Sequence, residues 1–291
     1  MNTIGDIFKV TTWGESHGAA IGAVIDGCPA GIDISVPSIQ KELDRRKPGQ
    51  SRVTTQRGEE DKVQLLSGVF EGKSTGAPIS LLIKNKDADP SRYDVLKNIS
   101  RPGHADYAYT RKYGIRDHRG GGRSSGRETA SRVAAGAIAR LLIPGIRIYA
   151  YAAQVGRIKA GNTQLDEIEN NPIRCADPEA AKEMEQEIIR CRKENDSIGG
   201  MIEILVQDVP AGLGDPVFGK LEAELSRALM SIGAVKGIEF GAGFRVAAMR
   251  GSENNDGISS EGFISNNAGG ILGGISTGQD MVIRLAIKPT P

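Results

Sequence analysis

Residues 119–143 read RGGGRSSGRETASRVAAGAIARLLI, with apolar side chains at Ala130, Val133, Ala134, Ala137, Ile138, Leu141 and Leu142. That spacing lines one face of an α-helix. Ser125, with Glu128 three residues on, fits a capping box at its start, and Pro144 ends it. Another pattern occurs twice: a strand-like run, a Pro-Ala-Gly turn, then a helix-like run. Residues 15–32 are ESHGAAIGAVIDGCPAGI and residues 196–213 are DSIGGMIEILVQDVPAGL, aligned without gaps at an offset of 181 (196 minus 15). The helices that follow are expected at roughly 36–46 and 217–232. The closing run MVIRLAIKPTP reads as a strand.

Chance likeness of two strands ending in common turn residues is the plain alternative, but an ancient duplication accounts for more of the matches. The copies differ at one telling place, where His17 of the first stands opposite Ile198 of the second. A scaffold position that accepts isoleucine does not need histidine for folding, so His17 becomes a candidate for chemistry. The offset also places the counterpart of the helix end at Ile143 near position 324, beyond Pro291. The second copy, about 190–291, is therefore expected to be incomplete beside a first copy of about 1–150. On the same reasoning the chain as it stands is expected to work poorly or not at all.

At 291 residues with a formal net charge of +1, the chain suits one large domain or two intimate halves. Balanced charge and few aromatics argue against a nucleic-acid binder. Cys28, Cys175 and Cys191 are odd in number and lack CxxC spacing, so they read as reduced cytosolic thiols with no metal site. The longest apolar stretch, 133–143, is broken by Gly136 and Arg140 and is too short for a membrane span. The N-terminus does not read as a signal peptide. A soluble, cytoplasmic protein is expected.

A glycine loop feeding a helix start, with Arg123, Ser124, Ser125 and Arg127 in the first turn, converges N–H groups, helix dipole and guanidinium forks on an anion. An ordinary capped helix with surface arginines is the other reading. It is no P-loop, since no Gly-Lys-Ser/Thr follows. Residues 43–57, LDRRKPGQSRVTTQR, carry Arg45, Arg46, Lys47, Arg52 and Arg57 with no acid between Lys47 and Arg57. They form either a solvated face or an anion-binding lid. RPGHAD (101–106) sets His104 after a Pro-Gly turn, beside an arginine and an aspartate. Histidine is the side chain best suited to move protons near neutral pH. His118, between Asp117 and Arg119, reads as a surface residue. NNAGGILGGISTG (266–278) could bring backbone close to a flat ligand or simply pack tightly.

Taken together these segments resemble the chorismate synthases. The resemblance runs through NTIG, TTWGESHG, DRRKPGQSR, LLSGVFEGKSTGAPI, RPGHAD, GGGRSSGRETA, VPAGLGDPVF, NNAGGILGGISTGQ and KPTP, in order along nearly the whole chain. It implies an α+β fold, a β-α-β sandwich with a helical layer between antiparallel sheets, in a homotetramer. It implies conversion of 5-enolpyruvylshikimate 3-phosphate to chorismate and phosphate by 1,4-anti elimination, with reduced FMN and no net redox change. Matched residue by residue, it gives Arg46, Arg52, Arg101, Ser125 and Arg127 to the substrate. Arg123, Ser124 and Ser125 with Gly233, Ala234, Gly273, Lys288, Pro289, Thr290 and Pro291 go to the flavin. In bifunctional members NADPH reduces the flavin and shares the basic region, including Arg46 and Arg52. His17 would protonate the departing phosphate and His104 would serve the reduced flavin. The family's Arg-His-Asp-Pro segment, with the flavin's aspartate partner, has no match here.

Two rival readings stay open at this stage. One is an NADPH-dependent reductase, which would transfer hydride and ignore the phosphorylated substrate. The other is a non-catalytic paralogue binding nucleotide or RNA through residues 45–57.

Overall fold

The computed structural model describes residues 1–54, 58–86 and 90–291, and the candidate Arg57 lies outside them. The chain divides into two compact units, Met1–Pro144 together with Pro291, and Gly145–Thr290.

The first unit opens with β1 (Thr3–Ile4), β2 (Lys9–Gly14) and β3 (Ala20–Asp26), followed by α1 (Val36–Arg46). Next come β4 (Val63–Ser67), the hairpin β5 (Val69–Phe70) and β6 (Lys73–Ser74), and β7 (Ile79–Lys84). Helices α2 (Asp106–Tyr113) and α3 (Thr129–Ala139) complete it. Its sheet runs β1-β2-β3-β7-β4 with every neighbour antiparallel. Period-two alternation sends Ile21, Ala23 and Ile25 of β3 and Ile79, Leu81 and Ile83 of β7 to one face, all fully buried. They meet Ile39 and Leu43 of α1 and Ala130, Ala134 and Ile138 of α3. Each large side chain in this core contributes about 1.5–3 kcal/mol.

Helix α1 spans the expected residues for local reasons. Ser35 Oγ accepts from Ser38 N–H at 3.3 Å, and Pro37 stands where a missing N–H is harmless. Lys47, with ψ of 148°, has already left the helix because Pro48 follows it. Around α3 the geometry differs from the expected capping box. Two 3-10 turns, Gly122–Ser124 and Gly126–Glu128, precede the helix, and Ser125 Oγ accepts from Arg127 N–H at 3.3 Å. The Glu128 carboxylate accepts from Arg132 at 2.7 Å instead of closing back on Ser125. The expected apolar end is a further 3-10 turn, Arg140–Leu142, with Leu141 exposed.

The second unit contains β8 (Arg147–Val155), β9 (Ile158–Lys159), α4 (Pro178–Lys193), β10 (Gly200–Gln207), α5 (Leu221–Met230) and β11 (Val235–Phe240). Hairpins β12 (Ile258–Ser259) with β13 (Gly262–Phe263) and β14 (Ile271–Leu272) with β15 (Ile275–Ser276) lead to β16 (Met281–Ile287). Its antiparallel sheet runs β9-β8-β10-β16-β11. Helix α5 is shorter than expected because Asp215 N–H bonds Gly219 O at 2.8 Å, closing a turn that keeps 216–219 out of it. Leu225 and Leu229 of α5 pack on Ile283 and Leu285.

Each unit is thus a five-stranded antiparallel sheet with helices on it, an α+β fold. Four strands follow the same order in both, β2-β3-β7-β4 and β8-β10-β16-β11, with β3 and β10 each followed by its Pro-Ala-Gly turn, while the fifth precedes its neighbour in the first unit (β1) and follows it in the second (β9). The turns are pinned alike. Ser74 Oγ donates to Pro29 O and accepts from Ile32 N–H (2.5 and 2.9 Å), and Ser276 Oγ does the same with Pro210 O and Leu213 N–H (2.7 and 2.9 Å). Among the described residues no helix is long and apolar enough to cross a membrane, and no cluster of His, Cys, Asp and Glu is arranged to hold a metal ion.

Candidate active site

His17 lies in the turn after β2, and that turn is held from behind. Asn85, just past β7, donates its amide to Glu15 O at 2.9 Å and Gly18 O at 2.7 Å. The Asn85 carbonyl accepts from Arg127 Nε at 2.9 Å. Arg127 is 4% exposed, ion-paired with Asp61 and 3.6 Å from Glu59, whose carboxylates are fully buried. Arg46, at the end of α1, joins the same Asp61 at 3.0 Å and reaches Gly126 O at 2.8 Å and Thr129 Oγ1 at 3.2 Å. A chain of charge-assisted bonds therefore runs from the basic end of α1, through Asp61 and Arg127, to the histidine turn. Arg46 and Arg127 come together on one carboxylate, in bracing positions.

The imidazole of His17 meets Ser16, Tyr93 and Gly120. Ser16 Oγ is 3.0 Å from Nδ1, and either atom can donate. The Tyr93 ring meets it at 4.9 Å and 70°. Gly120, with φ +89°, presents bare backbone, and a Cβ there would fall 2.2 Å from Nδ1. Only glycine fits this place, for both reasons. The second unit's counterpart, Ile198, also faces a glycine: a Cβ at Gly156 would lie 2.4 Å from Ile198 Cδ1. There the position is filled by packing, whereas in the first unit it carries a titratable ring.

Arg101 grips Asp106 with two bonds, Nε to Oδ2 at 2.8 Å and an Nη to Oδ1 at 3.0 Å. Its guanidinium lies 5.6 Å over the Tyr93 ring and reaches Gly120 O at 3.4 Å. Arg116 adds a second ion pair to Asp106 at 2.7 Å. Arg101 above all, with Arg116, holds the Asp106 carboxyl well below the ordinary carboxylate range. His104, on the turn into α2, is exposed, with Nδ1 2.9 Å from Pro102 O. A carbonyl can only accept, so Nδ1 is the donor in this contact. His118 lies at the surface with its ring partly covered, Nε2 being 3.1 Å from Asp94 Oδ1.

Arg123 latches the glycine loop to β2, donating to Thr12 O at 3.1 Å, Thr12 Oγ1 at 2.6 Å, Gly14 O at 3.1 Å and Asn2 Oδ1 at 3.4 Å. Every one of these acceptors is neutral, so its charge is not cancelled by a carboxylate among the described residues. Ser124 Oγ returns to Gly121 O at 2.7 Å. The basic stretch after α1 is less cationic than its sequence suggests. Arg45 pairs with Glu42 at 2.9 Å, Lys47 with Asp44 at 3.2 Å, and Arg46 with Asp61. Arg52 is exposed on a turn closed by Thr54 Oγ1 on Ser51 O at 2.9 Å. A pocket of about 650 Å³ beside this stretch, with Asp44, Lys47, Glu59, Glu60 and Lys62 in its walls, contains neither candidate histidine.

In the second unit, Lys288 N–H bonds Ala234 O at 2.9 Å, so Gly233 and Ala234 lie at the end of β16, where Lys288, Pro289 and Thr290 leave the sheet. Gly273 and Gly274, both at positive φ, make the two-residue turn of β14 and β15, and a Cβ at Gly273 would meet nothing within 4 Å. The sequence pattern pointed to the glycine loop that holds Gly120 but not to Glu59, Asp61, Asn85 or Tyr93. Only the acids left a trace, as a charged run facing the two arginines of α1.

Two α+β units, one of them joining a walled histidine to arginines around a glycine turn, define an enzyme for a small anionic substrate. A family model described as chorismate synthase matches residues 8–291. Chorismate synthase of Methanosarcina mazei is 59% identical over all of this chain and 82% of its own length, and that of Desulfatibacillum aliphaticivorans 57% over the same shares. A crystal structure of chorismate synthase superposes with a TM-score of 0.81 at 33% identity, covering 98% of this chain and 85% of that one. The chain belongs to the chorismate synthase family, lyases of the shikimate pathway that convert 5-enolpyruvylshikimate 3-phosphate to chorismate.

Proposed function

We propose, against the expectation of poor or absent turnover, that this chain carries out that conversion as a 1,4-anti elimination of phosphate, with His17 as the acid on the phosphate side. The observation that carries this reading is the His17 ring, closed at Nδ1 by Ser16 and Gly120 and set near the Arg101 guanidinium. With the Nδ1 edge walled, Nε2 is the atom that can deliver a proton. As the carbon–oxygen bond breaks and its electron pair leaves with the phosphate, that proton lowers the charge expelled. Arg101, Arg52 and Ser125 would hold the substrate's phosphate and carboxylates, since guanidinium forks match both. Arg46 and Arg127 enter the reading chiefly as braces, because Asp61 engages both.

The residues suit reduced FMN within each unit. Arg123 offers charge that only neutral atoms share, Ser124 and Ser125 offer hydroxyls, and the open turn at Gly273 offers bare backbone. Gly233, Ala234 and Lys288–Pro291 complete the set by family resemblance. When bound, the reduced flavin supplies the electron-rich partner that this elimination requires. His104, exposed on its turn, would exchange a proton there. NADPH as flavin reductant, a homotetramer and a cytoplasmic location accompany this reading, as does descent of both units from one duplicated ancestor within a single domain.

The test is His17→Gln, which keeps a polar side chain but no acid. Chorismate formation should fall about 10²–10⁴-fold with FMN and substrate still bound. Turnover within a few-fold of wild type would remove His17 from the mechanism.

A further inference from the structure

An acid that delivers a proton to one oxygen must hold its ring still, and packing against the ring face does this alongside the Ser16 contact at Nδ1. We propose that Tyr93 is the positioning residue for the His17 ring, carrying rigidity to it from the Arg101–Asp106 ion pair. This rests on the reading of His17 as the phosphate-side acid.

The geometry forms a continuous relay within the first unit. Asp106, 5% exposed, is clamped by Arg101 through two bonds and by Arg116 at 2.7 Å. Arg101 is thereby fixed with its guanidinium 5.6 Å over the Tyr93 ring. A cation over an aromatic face is drawn to the ring quadrupole, so the charge pair orients the tyrosine. Tyr93 then meets the imidazole at 4.9 Å and 70°, the arrangement aromatic pairs favour over face-to-face stacking. Gly120 closes the Nδ1 side. The ring rather than the phenol is the working part, because the Tyr93 hydroxyl has no hydrogen-bond partner among the described residues. Tyr93 thus links the two histidine-bearing motifs, the turn at His17 and the 101–106 segment.

The experiment uses the full chain labelled with ¹³C-histidine, whose three ring signals are assigned through His17→Gln. Tyr93→Leu, with Tyr93→Met as the longer non-aromatic replacement, removes the ring, and Tyr93→Phe removes only the hydroxyl. The expected result is that Leu and Met move the His17 signal while those of His104 and His118 stay. They should lower kcat about 10–100-fold at nearly unchanged KM, the scale of a misplaced reacting group. Phe should match wild type in both readouts. An unmoved His17 signal in the Leu and Met variants would overturn the proposal, as would a Phe variant as impaired as Leu. Unchanged kcat in Leu and Met, with His17→Gln inactive, would overturn it while leaving the acid role standing. If His17→Gln itself keeps turnover, the acid role fails and takes the catalytic half of this proposal with it.

Discussion

Replacing Arg127 with methionine tests whether the histidine turn rests on a buried charge network. The side chains of Asp61 and Glu59 are fully buried, and that of Arg127 is 3% exposed. Methionine fills similar volume but leaves two buried carboxylates short of a cation. Breaking a buried pair in this way costs about 3–5 kcal/mol. The lower end applies, because Asp61 keeps Arg46 at 3.0 Å and Glu59 keeps the Lys86 N–H at 3.0 Å. About 3 kcal/mol lowers Tm by roughly 6–12 °C for a unit of this size. Scanning calorimetry of Arg127→Met beside Lys73→Ala separates this from a surface effect. The Lys73–Asp33 pair is exposed at both ends and is worth at most about 1 kcal/mol. In an Asp61→Asn background the Arg127→Met loss should shrink by more than about 1 kcal/mol, since the two groups couple directly. A Tm shift for Arg127→Met no larger than that of Lys73→Ala would refute the bracing role and return Arg127 to the substrate.

Three further outcomes follow. Asp106 has its carboxyl pKa lowered in the fold, so the stability it contributes is full above the unfolded value near ~4 and is lost as pH falls through the folded value. Denaturant titrations of wild type and Asp106→Asn should therefore differ by a constant above about pH 5 and converge in acid, and a gap that widens in acid would contradict this. Gly120→Ala, forced into φ +89° against the His17 ring, should lose about 1–3 kcal/mol and move the His17 NMR signal; a silent variant would refute the wall. Arg123→Ala should weaken FMN binding roughly 10–150-fold by flavin fluorescence, the 1.5–3 kcal/mol of a charge-assisted bond, and equal affinity would remove Arg123 from the flavin set.

Much of this was legible in the sequence where local rules act alone. The serine, proline and apolar spacing of α1 set its limits, and the repeated Pro-Ala-Gly turn marked the end of the central strand in each sheet. What stayed hidden depends on distance in space. Glu59 and Asp61 sit in GEEDK, a run that looks solvated until α1 brings Arg46 and the 3-10 turn Gly126–Glu128 brings Arg127 against it. Their pairing changes the reading of the basic stretch, since the acid that takes Arg46 comes from outside it. Tyr93 carries no motif at all, and only folding brings it to His17. Ser125 and Glu128 match the capping-box spacing, yet Arg132 takes the glutamate, because an i,i+4 partner lay within easier reach.

The central claim is an elimination, and its stoichiometry tests it most directly. Wild-type chain is incubated anaerobically with reduced FMN and 5-enolpyruvylshikimate 3-phosphate, and chorismate, phosphate and flavin redox state are followed together. The account predicts equal amounts of chorismate and phosphate over many turnovers, with the flavin still reduced at the end. Flavin oxidised in step with product, or product formed without phosphate release, would contradict it.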